Sequence, residues 1–215
     1  MAARLRGSMV RIKICGITRV EDALFAVRAG ADAIGLVFAV SPRQIAPEAA
    51  REIISRIPPF VTPVGLFVNE SPERIREVAL SCGFRTVQLH GDEPPDYLAQ
   101  LQGFKIIKAF RIHTREDIGV LGTYKADAYL LDAFTPQRRG GTGKTFDWKI
   151  ALEAKKIGPI ILAGGLTPEN VARAVKLVEP YGVDVSSGVE AAPGVKDAAL
   201  VEEFIKAAKG PGGQT

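Results

Sequence analysis

The stretch VRIKIC, residues 10–15, alternates β-branched apolar residues with polar ones and ends in Cys15, directly before a glycine. A second stretch, ADAYLLD at residues 126–132, has a similar apolar character and ends in Asp132. Short runs of this composition predict buried strands. In a closed parallel sheet the carboxyl ends of the strands meet at one rim, where enzymes of that architecture keep their reacting groups. A thiol and a carboxylate at such a rim suit acid–base chemistry.

Strand-like segments of this kind recur along the chain and alternate with helical patterns. Because each apolar run is bounded by turn-forming residues, the segments predict eight buried strands. We predict them at Val10–Cys15, Ala33–Phe38, Thr62–Val68, Thr86–His90, Lys105–Phe110, Ala128–Asp132, Pro159–Ala163 and Gly182–Ser186.

Start signals for helices lie between these strands. Thr18 followed by Glu21 predicts a capping box for the first helix. Proline with glutamate directly behind it, at Pro47, Pro72 and Pro168, predicts three further starts. We expect these helices to end at about Arg28, Arg56, Leu80 and Glu179, with others near Pro95–Leu101, Arg115–Leu121, Asp147–Ile157 and Asp197–Lys209.

Eight consecutive strand–helix units predict an α/β protein built as a single (β/α)₈ barrel. The competing open, doubly wound sheet calls for a G-x-G-x-x-G turn after the first strand. Here that turn is Cys15-Gly16-Ile17-Thr18, which does not fit. We assign residues 9–209 to the barrel, residues 1–8 to an N-terminal extension and residues 210–215 to a glycine-rich tail.

Composition argues against several classes of partner. The chain of 215 residues has a net charge of +4, but aromatics make up only 7% and do not interleave with the basic residues, so nucleic-acid binding is not indicated. Its apolar runs are too short to cross a bilayer, and no secretory signal is recognisable. The two cysteines match neither a zinc pattern nor a redox pair, which fits a cytoplasmic protein with free thiols.

Lys13 lies two residues before Cys15, so both side chains share one face of the strand, about 6–7 Å apart. An ammonium there would lower the thiol pKa and increase the thiolate fraction. Asp184 lies on the eighth strand, which adjoins the first strand in a closed barrel, and could pair with Lys13. The alternative is that Lys13 and Asp184 form a purely structural ion pair.

The glycine-rich segment from Arg138 to Thr145 resembles a phosphate-binding P-loop only superficially. A Walker A motif needs glycine where this chain has Arg138, and the segment follows its strand too distantly. We therefore exclude nucleoside-triphosphate binding there. The segment is interpreted as a lid with basic residues over an anionic ligand, the alternative being an ordinary surface loop.

The loops after strands seven and eight carry Gly164-Gly165 and Ser186-Ser187-Gly188. Loops at these two places form the common phosphate site of this fold, although simple turn glycines are the alternative. Arg43, after strand two, could grip a carboxylate bidentately or lie solvated on the surface. His90 ends strand four and could line the pocket, whereas His113 is expected in a surface loop.

Six motifs together resemble one enzyme family, the phosphoribosylanthranilate isomerases of tryptophan biosynthesis. They are KICGIT at 13–18, QLHG at 88–91, LLD at 130–132, GGTGKTFDW at 140–148, AGGL at 163–166 and DVSSGVE at 184–190. The resemblance implies a (β/α)₈ barrel in which Cys15 is the general base and Asp132 the general acid. It further implies that Arg43 contacts the anthranilate carboxylate and that Gly164, Gly165, Ser186, Ser187 and Gly188 hold the phosphate.

The reaction implied by this resemblance is an Amadori rearrangement of N-(5'-phosphoribosyl)anthranilate to 1-(2-carboxyphenylamino)-1-deoxyribulose 5-phosphate. Both of its steps are proton transfers, so neither a metal nor an organic cofactor is expected. A small-molecule substrate is the expected partner, and a homodimer is an open alternative to a monomer. Other phosphosugar barrels, such as indoleglycerol-phosphate synthase or the histidine-pathway isomerase, use different catalytic pairs. A non-catalytic phosphate-ligand binder is the rival from another class.

Overall fold

The computed structural model describes residues 10–112, 114–132 and 148–210, and eight parallel strands among them close into a barrel. Each strand pairs with the next along the chain, and the eighth pairs with the first, which confirms the predicted fold class. The strands are β1 Arg11–Cys15, β2 Ala33–Val37, β3 Thr62–Phe67, β4 Thr86–Leu89, β5 Lys105–Arg111, β6 Ala128–Asp132, β7 Ile160–Ala163 and β8 Gly182–Val185.

Helical segments connect the strands on the outside of the barrel. The α-helices are α1 Val20–Ala29, α2 Pro47–Arg56, α3 Pro72–Cys82, α4 Lys149–Ala154, α5 Pro168–Val178 and α6 Ala198–Lys209. The predicted helices near Pro95 and Arg115 are instead 3₁₀ helices, at Pro95–Leu101 and Glu116–Thr123. A third 3₁₀ helix, Ser187–Val189, follows β8, and a small hairpin of β9 (Glu190–Ala192) and β10 (Val195–Lys196) leads to α6.

The helix starts follow the proline signals but not the first capping signal. Pro47, Pro72 and Pro168 each occupy the first turn of their helix, as predicted. The capping box predicted at Thr18 is wrong: α1 begins at Val20 without a side-chain cap. The Thr18 hydroxyl instead donates to the carbonyl oxygen of Gly194 at 2.5 Å, which ties the chain after β1 to the β9–β10 hairpin.

Buried side chains inside the barrel are mostly alanine and branched aliphatic residues, with three polar exceptions. The inner apolar cluster comprises Val64, Ile107, Ala109, Ala128, Leu130, Ile161 and Ala163. Lys13, Gln88 and Asp184 are also buried there, on β4 and on the two strands that close the barrel. A larger cluster of apolar residues packs between the strands and the helices. No helix within the described ranges is both long and apolar enough to cross a membrane.

Candidate active site

A cavity of about 550 Å³ opens at the carboxyl ends of the strands. Every site residue predicted from the sequence lines it, although the residues come from six different strand–loop units. They are Cys15, Arg43, His90, Asp132, Gly164, Gly165, Ser186, Ser187 and Gly188. The closed parallel sheet brings them together because all its strands present their carboxyl ends at one rim.

Cys15 is almost fully buried at the end of β1, and its surroundings are charged. Lys13, on the same strand face, donates to the Asp184 carboxylate at 2.8 Å, and both side chains are buried. Gly35 on β2 provides the space for the thiol, since a Cβ at that position would lie 2.7 Å from Cys15 Sγ. The predicted pairing of Lys13 with Asp184 is therefore present, directly beneath the thiol.

The net effect of this environment on the thiol differs from the expectation that Lys13 would lower its pKa. Burial raises the pKa of Cys15, and this outweighs the opposing charges of Lys13 and Lys196. The pKa of Lys13 is itself raised, because Asp184 and Cys15 outweigh the effect of burial. At neutral pH, Cys15 is therefore mainly a protonated thiol beside the Lys13 ammonium.

Asp132 ends β6 and contacts a polar chain that begins on β4. Its Oδ2 lies 3.3 Å from His90 Nε2, and His90 Nδ1 lies 2.9 Å from Gln88 Nε2. Gln88 is fully buried inside the barrel. Arg111 on β5 is the strand neighbour of Asp132 and also lines the cavity.

Arg43 reaches the cavity but is held by a carboxylate of this chain. Its Nε and Nη2 donate to the two oxygens of Glu190 at 2.8 and 2.6 Å. Lys196 donates to the same carboxylate at 2.7 Å. Burial raises the pKa of Glu190, but the bonds from Arg43 and Lys196 outweigh it and the net shift is downward. Arg43 is thus fixed at the cavity wall and is not a freely solvated side chain.

The two loops proposed for phosphate contact each other. Gly164 and Gly165, after β7, both have left-handed backbone, with φ of 76° and 66°. Gly188, after β8, approaches the β7 loop so closely that a Cβ there would collide with the carbonyl oxygen of Leu166. Backbone amides and the hydroxyls of Ser186 and Ser187 can therefore surround one small anion.

Some predicted features lie outside the described residues. They are the glycine-rich segment from Arg138 to Thr145, His113, the extension at residues 1–8 and residues 211–215 of the tail. Within the described part of the chain, no group of three or more His, Cys, Asp or Glu side chains could hold a metal ion.

Gln88, Glu190 and Lys196 belong to the site but were given no role from the sequence. Gln88 carried a usable signal, because it is the polar residue of an apolar strand and lies two positions before His90 on the same face. Glu190 was only the last residue of the DVSSGVE motif, and Lys196 gave no signal, since the contacts of both depend on a short hairpin with no clear sequence pattern.

Comparisons with known proteins agree with this geometry. Residues 12–207 match the family model of N-(5'phosphoribosyl)anthranilate (PRA) isomerase. A relative from Geobacter sulfurreducens, N-(5'-phosphoribosyl)anthranilate isomerase, is 56% identical over 203 residues, which cover 94% of this chain and 100% of the relative.

Two solved structures extend the similarity to the fold. One is phosphoribosyl anthranilate isomerase in complex with reduced 1-(o-carboxyphenylamino)-1-deoxyribulose 5-phosphate, with a TM-score of 0.85, 46% identity and coverage of 94% of this chain and 99% of that one. Another, of monomers generated from the dimeric enzyme of Thermotoga maritima, has a TM-score of 0.84, 45% identity and the same coverage. The chain therefore belongs to the N-(5'-phosphoribosyl)anthranilate isomerase family.

Proposed function

We propose that this cavity converts N-(5'-phosphoribosyl)anthranilate to 1-(2-carboxyphenylamino)-1-deoxyribulose 5-phosphate, with Asp132 as general acid and Cys15 as general base. One observation carries the proposal: in a chain of this family, the thiol, the carboxyl group and both phosphate loops line a single cavity. Both proposed steps are proton transfers coupled to bond changes within the substrate, so the proposal requires no metal or organic cofactor.

In the first step Asp132 gives its proton to the furanose ring oxygen. The ring C–O bond breaks while the anilino nitrogen lone pair forms the C=N bond of an iminium ion. The position of Asp132 at the cavity wall supports this role. Its Oδ2 lies beside His90, so Oδ1 is the oxygen that would face the substrate.

In the second step the Cys15 thiolate removes the C2' proton, and the electron pair neutralises the iminium to give an enolamine. The enolamine then tautomerises to the ketone. Because burial raises the thiol pKa, the thiolate is the minor form at neutral pH. Lys13 and Lys196 both lower that pKa against the effect of burial, so these two cations stabilise the thiolate when it forms.

The remaining predicted contacts hold the two ends of the substrate. We propose that Gly164, Gly165, Ser186, Ser187 and Gly188 bind the phosphate. Arg43 would bind the anthranilate carboxylate. Its bonds to Glu190 use Nε and Nη2, so an incoming carboxylate would meet the Nη1 edge.

Loss of anthranilate fluorescence on turnover tests the proposal. Cys15→Ala and Asp132→Asn should each lower kcat by about 10²–10⁴-fold, since each removes one proton-transfer group. Both should keep their fold and their affinity for inorganic phosphate. Matched controls are Cys82→Ala, a buried thiol on α3, and Asp96→Asn, an exposed carboxylate outside the cavity. A kcat close to wild type in either site variant would refute the assignment.

We further propose that the protein works in the cytoplasm and that it can form a homodimer. Both cysteines are free, and the chemistry needs Cys15 to remain a thiol, which a reducing compartment ensures. The dimer is supported by the relative from Thermotoga maritima, which is described as dimeric. Light scattering coupled to size-exclusion chromatography distinguishes a dimer from a monomer.

A further inference from the structure

Gln88 and His90 form a polar chain that ends on Asp132. The two residues lie two positions apart, so both point toward the barrel axis. Gln88 Nε2 lies 2.9 Å from His90 Nδ1, and His90 Nε2 lies 3.3 Å from Asp132 Oδ2. Ala109, on the intervening strand β5, has only a methyl group, which leaves the space through which β4 and β6 side chains can meet.

The direction of the hydrogen bond between Gln88 and His90 follows from the chemistry of the amide. An amide nitrogen can only donate, so His90 Nδ1 must accept from Gln88 and carry no hydrogen. In the neutral imidazole the hydrogen then lies on Nε2, the nitrogen that faces Asp132 Oδ2 at 3.3 Å.

The tautomer of His90 matters for Asp132. A ring with its hydrogen on Nε2 presents an N–H to Oδ2 of the proposed acid, whereas a ring with its hydrogen on Nδ1 presents a lone pair there. We infer that Gln88 is a positioning residue: it fixes the His90 tautomer with the hydrogen on Nε2, so that an N–H faces Asp132 and orients its carboxyl group. The inference rests on the proposed function in assigning Asp132 as the acid.

The cost of burying Gln88 supports a role beyond packing. Its Oε1 is buried and has no hydrogen-bond partner within the described parts of the chain. A buried, unpaired polar atom costs about 1–3 kcal/mol, which an apolar side chain of the same size would avoid. Packing alone therefore favours methionine or leucine at this position, and the amide needs another explanation.

Other charged groups lie around Gln88, His90 and Asp132, and none of these groups is substituted in the test below. Arg111 on β5 lies next to Asp132, and Cys15, Arg43 and Asp184 line the same cavity. Lys108 on β5 donates to the carbonyl oxygen of Gly91, the residue after His90, and is paired with Glu93 at 3.0 Å. Any effect of a substitution at Gln88 is therefore measured against a constant electrostatic background.

Nitrogen-15 NMR of histidine-labelled protein tests the inference without relying on turnover. The chain has two histidines, so His113→Gln leaves His90 as the single signal. We expect the signals of a ring whose hydrogen lies on Nε2. A hydrogen on Nδ1 would overturn the inference even if the wild-type protein is an active isomerase. If the protein shows no turnover, the proposed function fails while this result still decides the state of His90.

Two substitutions then test the link to Asp132. Gln88→Glu places an acceptor against Nδ1 and draws the ring hydrogen to that nitrogen; kcat should fall at least about tenfold with little change in KM. Gln88→Met removes the donor, so His90 should no longer show the single tautomer with its hydrogen on Nε2. Gln102→Glu is the matched control, because it adds the same charge at an exposed position before β5.

Unchanged His90 signals and an unchanged kcat in Gln88→Met would refute the positioning role. A rise in KM at constant kcat would also refute it, since that result indicates direct substrate binding by Gln88. Should the variants fail to fold, the wild-type spectrum alone still decides whether His90 has the tautomer that the inference requires.

Discussion

At the scale of single residues, Cys15 shows two opposing effects on one thiol. Burial raises its pKa, while Lys13 lowers it from the same strand face. Asp184 neutralises Lys13 in part and itself raises the thiol pKa. At neutral pH the proposed base is therefore mainly the inactive thiol. When its proton leaves, the Lys13 ammonium beside it stabilises the thiolate that forms.

Alkylation by iodoacetamide measures this balance directly, because only the thiolate reacts. In a Cys82→Ala background, the alkylation rate should rise with pH. It should level off only at a pH above the one at which an ordinary free thiol is fully ionised, since the pKa of Cys15 is raised. Lys13→Met removes the cation that opposes burial, so its rate should be about tenfold or more below the parent at neutral pH. The two rates should converge at high pH, where both proteins are thiolates.

The control for this prediction is Lys105→Met, which removes the cation of an exposed ion pair far from the cavity. It should leave the alkylation profile unchanged. Equal rates for Lys13→Met and its parent over the whole pH range would show that Lys13 has no part in thiol activation. Lys13 and Asp184 would then be a purely structural pair, the alternative that the sequence left open.

Residues at strand ends could be predicted from the sequence, and their partners could not. Cys15 and Asp132 are predictable because the strand pattern and the parallel fold fix which rim they occupy. The partner of Arg43 is Glu190, 147 positions further along the chain. No local pattern encodes such a contact, and it decides whether Arg43 is a loose surface residue or a fixed one.

At the scale of elements, the connections were harder to predict than the strands. The eight strands could be predicted because nearly continuous apolar runs are typical of strands in a parallel sheet that is buried on both faces. Thr18 has the sequence of a helix cap, but its hydroxyl bonds to Gly194 on the β9–β10 hairpin. A tertiary hydrogen bond therefore replaces the local one, and the hairpin that supplies it was not predicted.

The contact between the β7 and β8 loops gives a prediction at this scale. Gly188→Ala would force its Cβ against the carbonyl oxygen of Leu166 and push the two loops apart. Since the loops are proposed to hold one phosphate together, affinity for inorganic phosphate should fall about tenfold or more, as measured by isothermal titration calorimetry. Gly119→Ala is the matched control, because a Cβ there meets no atom within 4 Å. Equal affinity in the two variants would show that the loop contact does not shape the phosphate site.

At the scale of the whole molecule, closure of the barrel brings the first and last strands together around a buried ion pair. Lys13 on β1 and Asp184 on β8 are neighbours in the strand register, and their charged atoms are 2.8 Å apart. The pair thus lies both at the seam of the barrel and beneath the proposed base. The two residues are neighbours in the sheet only when β8 pairs with β1, that is, when the barrel is closed.

Removing one member of this pair should therefore cost far more stability than removing both. Asp184→Leu leaves an ammonium buried inside the barrel without its partner, and we expect it to lower the free energy of unfolding by about 3–5 kcal/mol. Lys13→Met combined with Asp184→Leu should recover much of that loss, because no unpaired charge remains. Urea unfolding of the wild type, both single variants and the double variant gives the coupling energy. For comparison, the exposed Lys105–Asp127 pair should couple by no more than about 1 kcal/mol. If the buried pair couples as weakly as the exposed one, closure depends on apolar packing alone, and the pair serves the thiol and not the fold.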